Sequence, residues 1–212
     1  MSIDALHNES PGAIGVLPED RARAEVYALL GNLFYQPPEA TALHVIATTK
    51  TICNDGSVSG FCEAWHALQQ AAASADSDAV KDEFDTAFIG TGRQPVMLYG
   101  SFYLAGFLNE KPLAQLRDEL AKMGLVRSGN SHETEDHISA LCDVMRFLIV
   151  GDHDTVPVAL DVQRDFFLRY INSWNTQLCA AVIDASQTDF YKHVANVARE
   201  FFAIENESFA IA

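Results

Sequence analysis

Five consecutive residues, Glu133-Thr134-Glu135-Asp136-His137, hold the densest group of reactive side chains in the sequence. Carboxylates and imidazoles are the groups that bind metal ions and transfer protons in proteins. Apolar residues follow at helical spacing, which predicts a helix from residue 133 to about residue 150. Asn130 lies three residues before Glu133, in the pattern of a capping box. The segment is therefore expected in the first turn of this helix.

A structural explanation covers most of this segment. The positive end of a helix dipole favours carboxylates, so Glu133, Glu135 and Asp136 would stabilise a first turn. The explanation does not extend to His137, because a cationic imidazole is favoured at the opposite end of a helix. A second role for the histidine has to be considered.

Metal binding is one such role. Glu133 and His137 are four residues apart and could face one ion from a helix. His132 and His137 are five apart, about 140° around a helix, so they cannot share that ion. A closed site needs two further ligands, and the sequence offers neither an HExxH motif nor a cysteine pair.

Catalysis and nucleotide binding are the other chemical alternatives. Asp136 and His137 could act as an acid–base pair, although neighbours on a helix point about 100° apart. The loop Gly90-Thr91-Gly92 lacks the lysine of a Walker motif and the third glycine of a dinucleotide fingerprint. A small acidic helical protein that binds a metal or a nucleotide for regulation stays as the alternative function.

Charge limits the partners of the protein. The 212 residues include 14 Lys and Arg against 29 Asp and Glu, a formal net charge of −15. Such a surface repels nucleic acids and anionic lipids and attracts cationic partners. The chain is 49% hydrophobic, and its length suits one well-packed domain. We predict no nucleic acid partner.

The cysteines and the termini bear on location. Cys62, Cys142 and Cys179 fall in apolar helical patterns, where a free thiol behaves as a small hydrophobe, and a reducing compartment follows. Residues 1–16 read as a flexible tail without the features of a signal peptide. No apolar run reaches the roughly 18 residues of a membrane helix. The sequence predicts a cytoplasmic protein.

Spacing of three and four between apolar residues recurs along the chain, and no stretch alternates as a strand does. We predict an all-α protein of about nine to eleven helices in one compact bundle-like domain over residues 17–212. A helix from residue 112 to residue 122 should stop at Gly124, and residues 124–132 could act as a hinge. The stretch 97–104 fits neither a helix nor a strand clearly.

Peptide binding also fits these features. An acidic helix end beside the aromatic, glycine-broken stretch at residues 89–104 suits a segment that combines arginines with an apolar run. The arginines would pair with carboxylates through charge-assisted hydrogen bonds, while the apolar part fills a groove.

Four stretches together resemble one known family. Glu83 to Gly90 with Tyr99-Gly100-Ser101-Phe102-Tyr103 is similar to the LF-x-G and (W/Y)-G-S-x-(Y/W) segments of the TorD/DmsD/NarJ redox-enzyme maturation chaperones. The 133–137 segment resembles that family's E-P-x-D-H signature, with Thr134 in place of the usual proline. Tyr27 to Pro38 and Asp189 to Arg199 also match, so the resemblance spans about residues 20–205. The TorD/DmsD branch fits best.

The resemblance implies a TorD-like, all-helical cytoplasmic chaperone without enzymatic activity and without a cofactor of its own. Such a chaperone binds the twin-arginine signal peptide of a molybdoenzyme catalytic subunit and assists cofactor insertion before export. The partners would be this peptide, the body of the same subunit and the membrane translocase. The resemblance also implies a monomer that forms some domain-swapped homodimer.

The resemblance further implies which residues contact the client. It places Asp136 and His137 in the client-binding site with Glu133 beside them. The other residues implied are Phe84, Phe88, Tyr99, Gly100 and Ser101. Trp174 matches a family tryptophan but is expected in the core, and Gly92 departs from the family pattern in the 89–97 loop.

Overall fold

The computed structural model describes residues 16–50, 59–90, 95–108, 110–126, 133–151 and 155–211. Within these ranges the chain forms ten α-helices and no β-strand, which confirms the all-α prediction. The helices are α1 Pro18–Tyr35, α2 Ala40–Thr48, α3 Gly60–Ser74, α4 Ser77–Phe84, α5 Gly100–Ala105, α6 Lys111–Lys122, α7 Ile138–Val150, α8 Leu160–Phe167, α9 Asn175–Asp184 and α10 Tyr191–Ile211.

Local sequence accounts for several of the helix ends. Pro18 opens α1 because the first helical position needs no amide donor. The Asp76 side chain caps α4 by accepting from the amides of Asp78 and Ala79. Helix α6 ends two residues before Gly124, whose φ of +72° favours glycine, as the sequence predicts.

Two helices continue into a π-helical turn, Asp85–Ile89 after α4 and Leu168–Asn172 after α8. Helix α8 begins at Leu160, three residues after Pro157. The ambiguous stretch 97–104 divides at Tyr99, which is extended, and Gly100, which begins α5.

The core forms around α1 and α7, which make the most extensive helix–helix contact. Helix α10 packs on α3 and α9, and α2 packs on α3. Tyr27, Leu30 and Phe34 of α1 are buried, as are Leu141 and Met145 of α7. Helix α7 packs along α1, and the 133–137 segment directly precedes its N-terminus.

Some expectations concern the cysteines, the membrane and the loops. Cys142 and Cys179 are free and buried, as expected, whereas Cys62 is disulfide-bonded, so the expectation of a free thiol is wrong there. None of the helices among the described residues is long and apolar enough to cross a membrane. The N-terminal tail up to residue 15 and residues 127–132 of the hinge lie outside the described residues, so the tail, the hinge and domain swapping stay predictions.

Candidate functional site

The 133–137 segment forms a turn before α7 and not the first turn of that helix. Helix α7 begins at Ile138, so the prediction of a helix start at residue 133 is wrong. The turn is joined to the chain before α5 by an antiparallel bridge between Tyr99 and His137. The amide of Gly100 donates to the Asp136 carbonyl at 2.9 Å, and that of Ile138 donates to the Leu98 carbonyl at 2.9 Å. These bonds hold the N-termini of α5 and α7 together.

Asp136 caps α5 from a distant part of the chain. Its Oδ2 accepts from the amide of Ser101 at 2.8 Å, and its Oδ1 accepts from the Thr134 hydroxyl at 2.6 Å. Tyr99 occupies the capping position of α5 but makes no side-chain cap, so the helix would otherwise leave a buried amide unpaired. Asp136 is only 4% exposed. Its carboxylate therefore serves α5 and faces away from solvent.

His137 caps α7. Its Nδ1 accepts from the amide of Ser139 at 3.2 Å, which requires a deprotonated nitrogen. Burial lowers the pKa of His137 to about 4, although the nearby Glu133 and Asp136 oppose the shift. The ring also meets Tyr99 edge-on, with centroids 5.0 Å apart. A neutral imidazole acting as a cap explains how a histidine stabilises this end of a helix.

The accessible acids of the turn are Glu133 and Glu135, both half-buried. The Tyr99 hydroxyl donates to the Glu133 carboxylate. Burial, and to a smaller extent this carboxylate, raises the pKa of Tyr99, so the phenol stays protonated and remains a donor. Arg117 of α6 donates to Glu135 from Nε at 2.9 Å and from a terminal guanidinium nitrogen at 2.8 Å. Both donors reach the same oxygen, Oε2. The turn already binds one guanidinium group.

Gly100 is required by a close approach. A Cβ at this position would lie 3.0 Å from Nε1 and 3.1 Å from Cε2 of Trp174. Trp174 is fully buried, as expected, and its Nε1 donates to the Tyr170 carbonyl at 2.6 Å. Tyr103 stacks on the same indole. The Gly-Ser pair of this motif is therefore shaped by packing, with Ser101 buried beside Asp136.

Phe84 and Phe88 do not join the turn. Both rings are buried and pack against Tyr191 of α10, at centroid distances of 5.6 and 5.0 Å. Phe88 also meets Phe34 of α1 edge-on. The structure thus brings together six of the eight residues that the resemblance implies and places these two in an aromatic part of the core.

The sequence analysis missed two residues with structural roles, one that caps α10 and one that pairs with an acid of the turn. The carboxylate of Glu83 accepts from the amides of Phe190 and Tyr191 at 2.9 and 2.7 Å and so caps α10. Arg117, the partner of Glu135, lies in an ordinary helix pattern, and no local signal marks it. Glu83 could have been noticed as an acid in the matched motif, but its target is more than a hundred residues away.

The part of the chain that the structure describes gives no support to the metal-binding or nucleotide-binding alternative. Among the described residues, no group of three or more His, Cys, Asp and Glu could hold a metal ion. The pairing of Glu133 with His137 assumed a shared helix, and that assumption fails because α7 starts at Ile138. Residues 91–94 of the glycine loop lie outside the described residues.

Comparisons with known proteins place the chain in a family. Residues 54–180, more than half of the chain, match the family described as nitrate reductase delta subunit. A crystal structure of a candidate redox enzyme maturation protein from Archaeoglobus fulgidus superposes with a TM-score of 0.52 at 19% identity, covering 86% of this chain and 93% of that one. The similarity to that structure supports the fold.

Relatives named chaperone protein TorD also match. The protein of Aliivibrio fischeri is 27% identical over 130 residues, which cover 58% of this chain and 60% of the relative. That of Vibrio atlanticus is 24% identical over 135 residues, 60% of this chain and 63% of the relative. That of Vibrio cholerae is 26% identical over 195 residues, 84% of this chain and 88% of the relative. The chain therefore spans less than two thirds of the first two. Because the family match covers more than half of it, the chain belongs to the TorD/DmsD/NarJ family of redox-enzyme maturation chaperones, nearest to its TorD branch.

Proposed function

We propose that this protein is a dedicated cytoplasmic chaperone that binds the twin-arginine signal peptide of a molybdoenzyme subunit and assists its assembly before export. The names of the relatives and the shared fold support a role in redox-enzyme maturation. The net charge of −15 favours a cationic peptide over other partners. The peptide, the client body and the translocase are the partners of this proposal.

The observation that carries the proposal is the contact between Arg117 and Glu135. A guanidinium already pairs with an accessible carboxylate of the turn at 2.8–2.9 Å. Glu133 offers a second carboxylate on the same turn. Charge-assisted hydrogen bonds of this kind suit arginine more than lysine, because the guanidinium presents several donors in a fixed plane. Two neighbouring carboxylates match two consecutive arginines.

Asp136 and His137 enter this proposal as positioning residues. Both are 4% exposed and each caps a helix, so a peptide bound at the surface would not reach their side chains. They hold the turn rigidly and thereby fix the two glutamates. Tyr99 contributes its hydroxyl to the orientation of Glu133. Phe84 and Phe88 support the core behind the site, and a role in direct client contact would require them to move.

An apolar surface lies close to the turn. Helix α5 begins at the turn and runs for six residues, about 9 Å. Leu104 within its last turn, and Phe107 and Leu108 shortly after its end, are exposed. Surface ion pairs contribute only about 0–1 kcal/mol each, so apolar contacts have to supply most of the affinity. We propose that the apolar part of the signal peptide packs on these residues.

The test is a titration with a synthetic peptide that carries two arginines and about 12 apolar residues. Glu133→Gln and Glu135→Gln should weaken binding, each by a few-fold, and should reduce its salt dependence. Arg117→Ala should strengthen binding, because it removes a guanidinium that competes with the peptide for Glu135. Glu63→Gln on α3 is the matched control, since Glu63 is exposed and its substitution removes the same charge far along the chain from the turn.

Two results would contradict the proposal. Equal weakening by Glu63→Gln would show that only net charge matters. Unchanged affinity in both Glu135→Gln and Arg117→Ala would remove the turn from the binding site. A peptide with lysines in place of the arginines should bind more weakly to the wild-type protein, because an ammonium group lacks the planar set of donors of a guanidinium.

A further inference from the structure

A groove of 420 Å³ lies at the other end of α7 from the turn. Along α7, Ile138 and Ile149 are eleven residues apart, which corresponds to about 16 Å. The groove is enclosed by the start of α1, the segment before α8, the start of α8 and the end of α10. Its apolar wall consists of Leu17, Ile149, Pro157, Val158, Leu160 and Phe209. The groove is therefore separate from the candidate site.

The polar side of this groove is a partly buried ion-pair network. Arg23 donates from Nε and a terminal nitrogen to the two oxygens of Glu205, at 2.7 and 2.9 Å. The Tyr27 hydroxyl donates to Glu205 at 3.0 Å, and Arg23 donates to Asp20 at 2.8 Å. Gln163 accepts a further Arg23 hydrogen at 3.4 Å. The guanidinium is thus engaged by partners within the chain, and it is not a vacant anion-binding group.

The net charge of this network favours a partner that carries a positive charge. One cation, Arg23, stands against two carboxylates, Glu205 and Asp20. The Glu205 side chain is almost inaccessible, whereas that of Asp20 is 34% exposed at the groove. Asp20 therefore presents negative charge to an occupant while it stays bonded to Arg23. An anionic lipid or phosphate would be repelled by this carboxylate and by the net charge of −15.

The apolar wall selects the rest of the partner. Leu17 and Leu160 line the groove and remain 60% and 46% exposed. Phe209 is buried, lies with its ring 5.3 Å from the Arg23 guanidinium and adds an apolar surface to the floor beside the buried Gln163. Exposed apolar side chains around a concave floor are typical of surfaces that bind another molecule. The volume lies within the usual range for binding pockets.

We propose that this groove binds an apolar segment of a partner polypeptide that carries a lysine or arginine beside its apolar side chains. The apolar side chains pack against Leu17, Leu160 and Phe209, and the cation pairs with Asp20. The inference does not depend on the signal peptide site, because the two surfaces are at opposite ends of α7 and involve different residues. Each can fail without the other.

The probe is a fluorescent amphipathic peptide of about 14 residues, with leucines at helical spacing and lysines beside them. Two companions replace the lysines with glutamates or the leucines with serines. The groove is filled by Ser208→Trp, since Ser208 is exposed and lines it. Ala210→Trp is the matched control, because Ala210 is exposed on the same helix and does not line the groove. Leu160→Ser tests the wall without added bulk.

The leucine–lysine peptide should bind the wild-type protein and Ala210→Trp within about twofold of each other. Ser208→Trp and Leu160→Ser should each weaken it by about tenfold or more. Asp20→Asn should weaken the lysine peptide and lower its salt dependence. Amide shifts in a nuclear magnetic resonance titration should centre on Leu17 and Phe209. Melting temperatures of the two tryptophan variants show whether both are folded.

Several outcomes would overturn the proposal. These are binding that Ser208→Trp and Leu160→Ser leave unchanged, equal loss in Ala210→Trp, and equal affinity for the glutamate peptide. Failure of every peptide to bind at about 1 mM would also overturn it. Binding of the protein to anionic vesicles in place of the peptide would identify a membrane surface instead.

Discussion

Replacing Asp136 with alanine should destabilise the protein, because the structure makes this carboxylate the cap of α5. The variant loses the bond from the buried Ser101 amide at 2.8 Å and that from the Thr134 hydroxyl at 2.6 Å. Thr134 is half-buried and can turn to water, so its loss costs little. Ser101 is 1% exposed, and its amide would lose its charged acceptor in a place that solvent does not reach.

The magnitude follows from these two contacts. A buried donor that loses a charged acceptor costs about 1–3 kcal/mol or more, and losing the favourable charge at a helix N-terminus adds about 0.3–1 kcal/mol. A total of about 3 kcal/mol corresponds to a drop of about 6–12 °C in melting temperature for a protein of this size. The burial of Asp136, which is only 4% exposed, is the reason to expect a loss larger than the helix-dipole contribution alone.

Thermal and urea unfolding of Asp136→Ala, Thr134→Ala and Asp165→Ala would measure this effect. Thr134→Ala removes only the partly buried hydroxyl contact. Asp165→Ala removes an exposed carboxylate that pairs with Arg164, so both variants should stay within about 0.5–1 kcal/mol of the wild type. A melting temperature of Asp136→Ala equal to that of Asp165→Ala would refute the assignment of Asp136 as a cap.

Three further results are expected. When the pH falls from 7 to 5, the wild type should lose about 2 kcal/mol more stability than His137→Asn. Burial lowers the pKa of His137 to about 4, so over this range the histidine takes up a proton only in the unfolded chain. Equal losses for the two proteins in urea unfolding would contradict this. Gly100→Ala should cost about 1–3 kcal/mol in melting experiments, since its Cβ would meet Trp174, and neutrality would mean that the indole shifts freely. Glu205→Gln should cost about 3–5 kcal/mol against a nearly neutral Glu207→Gln, and similar values for both would show that burial of the pair is unimportant.

Much of the architecture could be predicted from local sequence. The three-and-four spacing in α1 and α6 and the proline at the start of α1 act within one or two turns of the helix they specify. Gly124 stops α6 through its own backbone conformation. Such features need no knowledge of the rest of the chain, because a helix satisfies its hydrogen bonds among near neighbours. The all-α class and most helix positions are therefore properties of short segments.

The candidate site required the tertiary structure. The sequence placed Asp136 in the first turn of its own helix, whereas its carboxylate caps α5, a helix that begins 36 residues earlier. The sequence likewise assumed that His137 would be a poor residue at a helix N-terminus, and burial makes it a neutral cap. Motif resemblance brought the right residues to attention without showing which of them are accessible.

Long-range pairing decided the rest. Arg117 meets Glu135 because α6 packs beside the turn, and Gly100 is needed because Trp174 comes within van der Waals distance from a separate helical turn. The groove at the far end of α7 exists because the starts of α1 and α8 and the end of α10 lie near one another. Local sequence determined where helices form, since their bonds are local. The tertiary structure decided which charged side chains are exposed to solvent and which groups they contact, because burial and capping depend on residues far apart in the sequence.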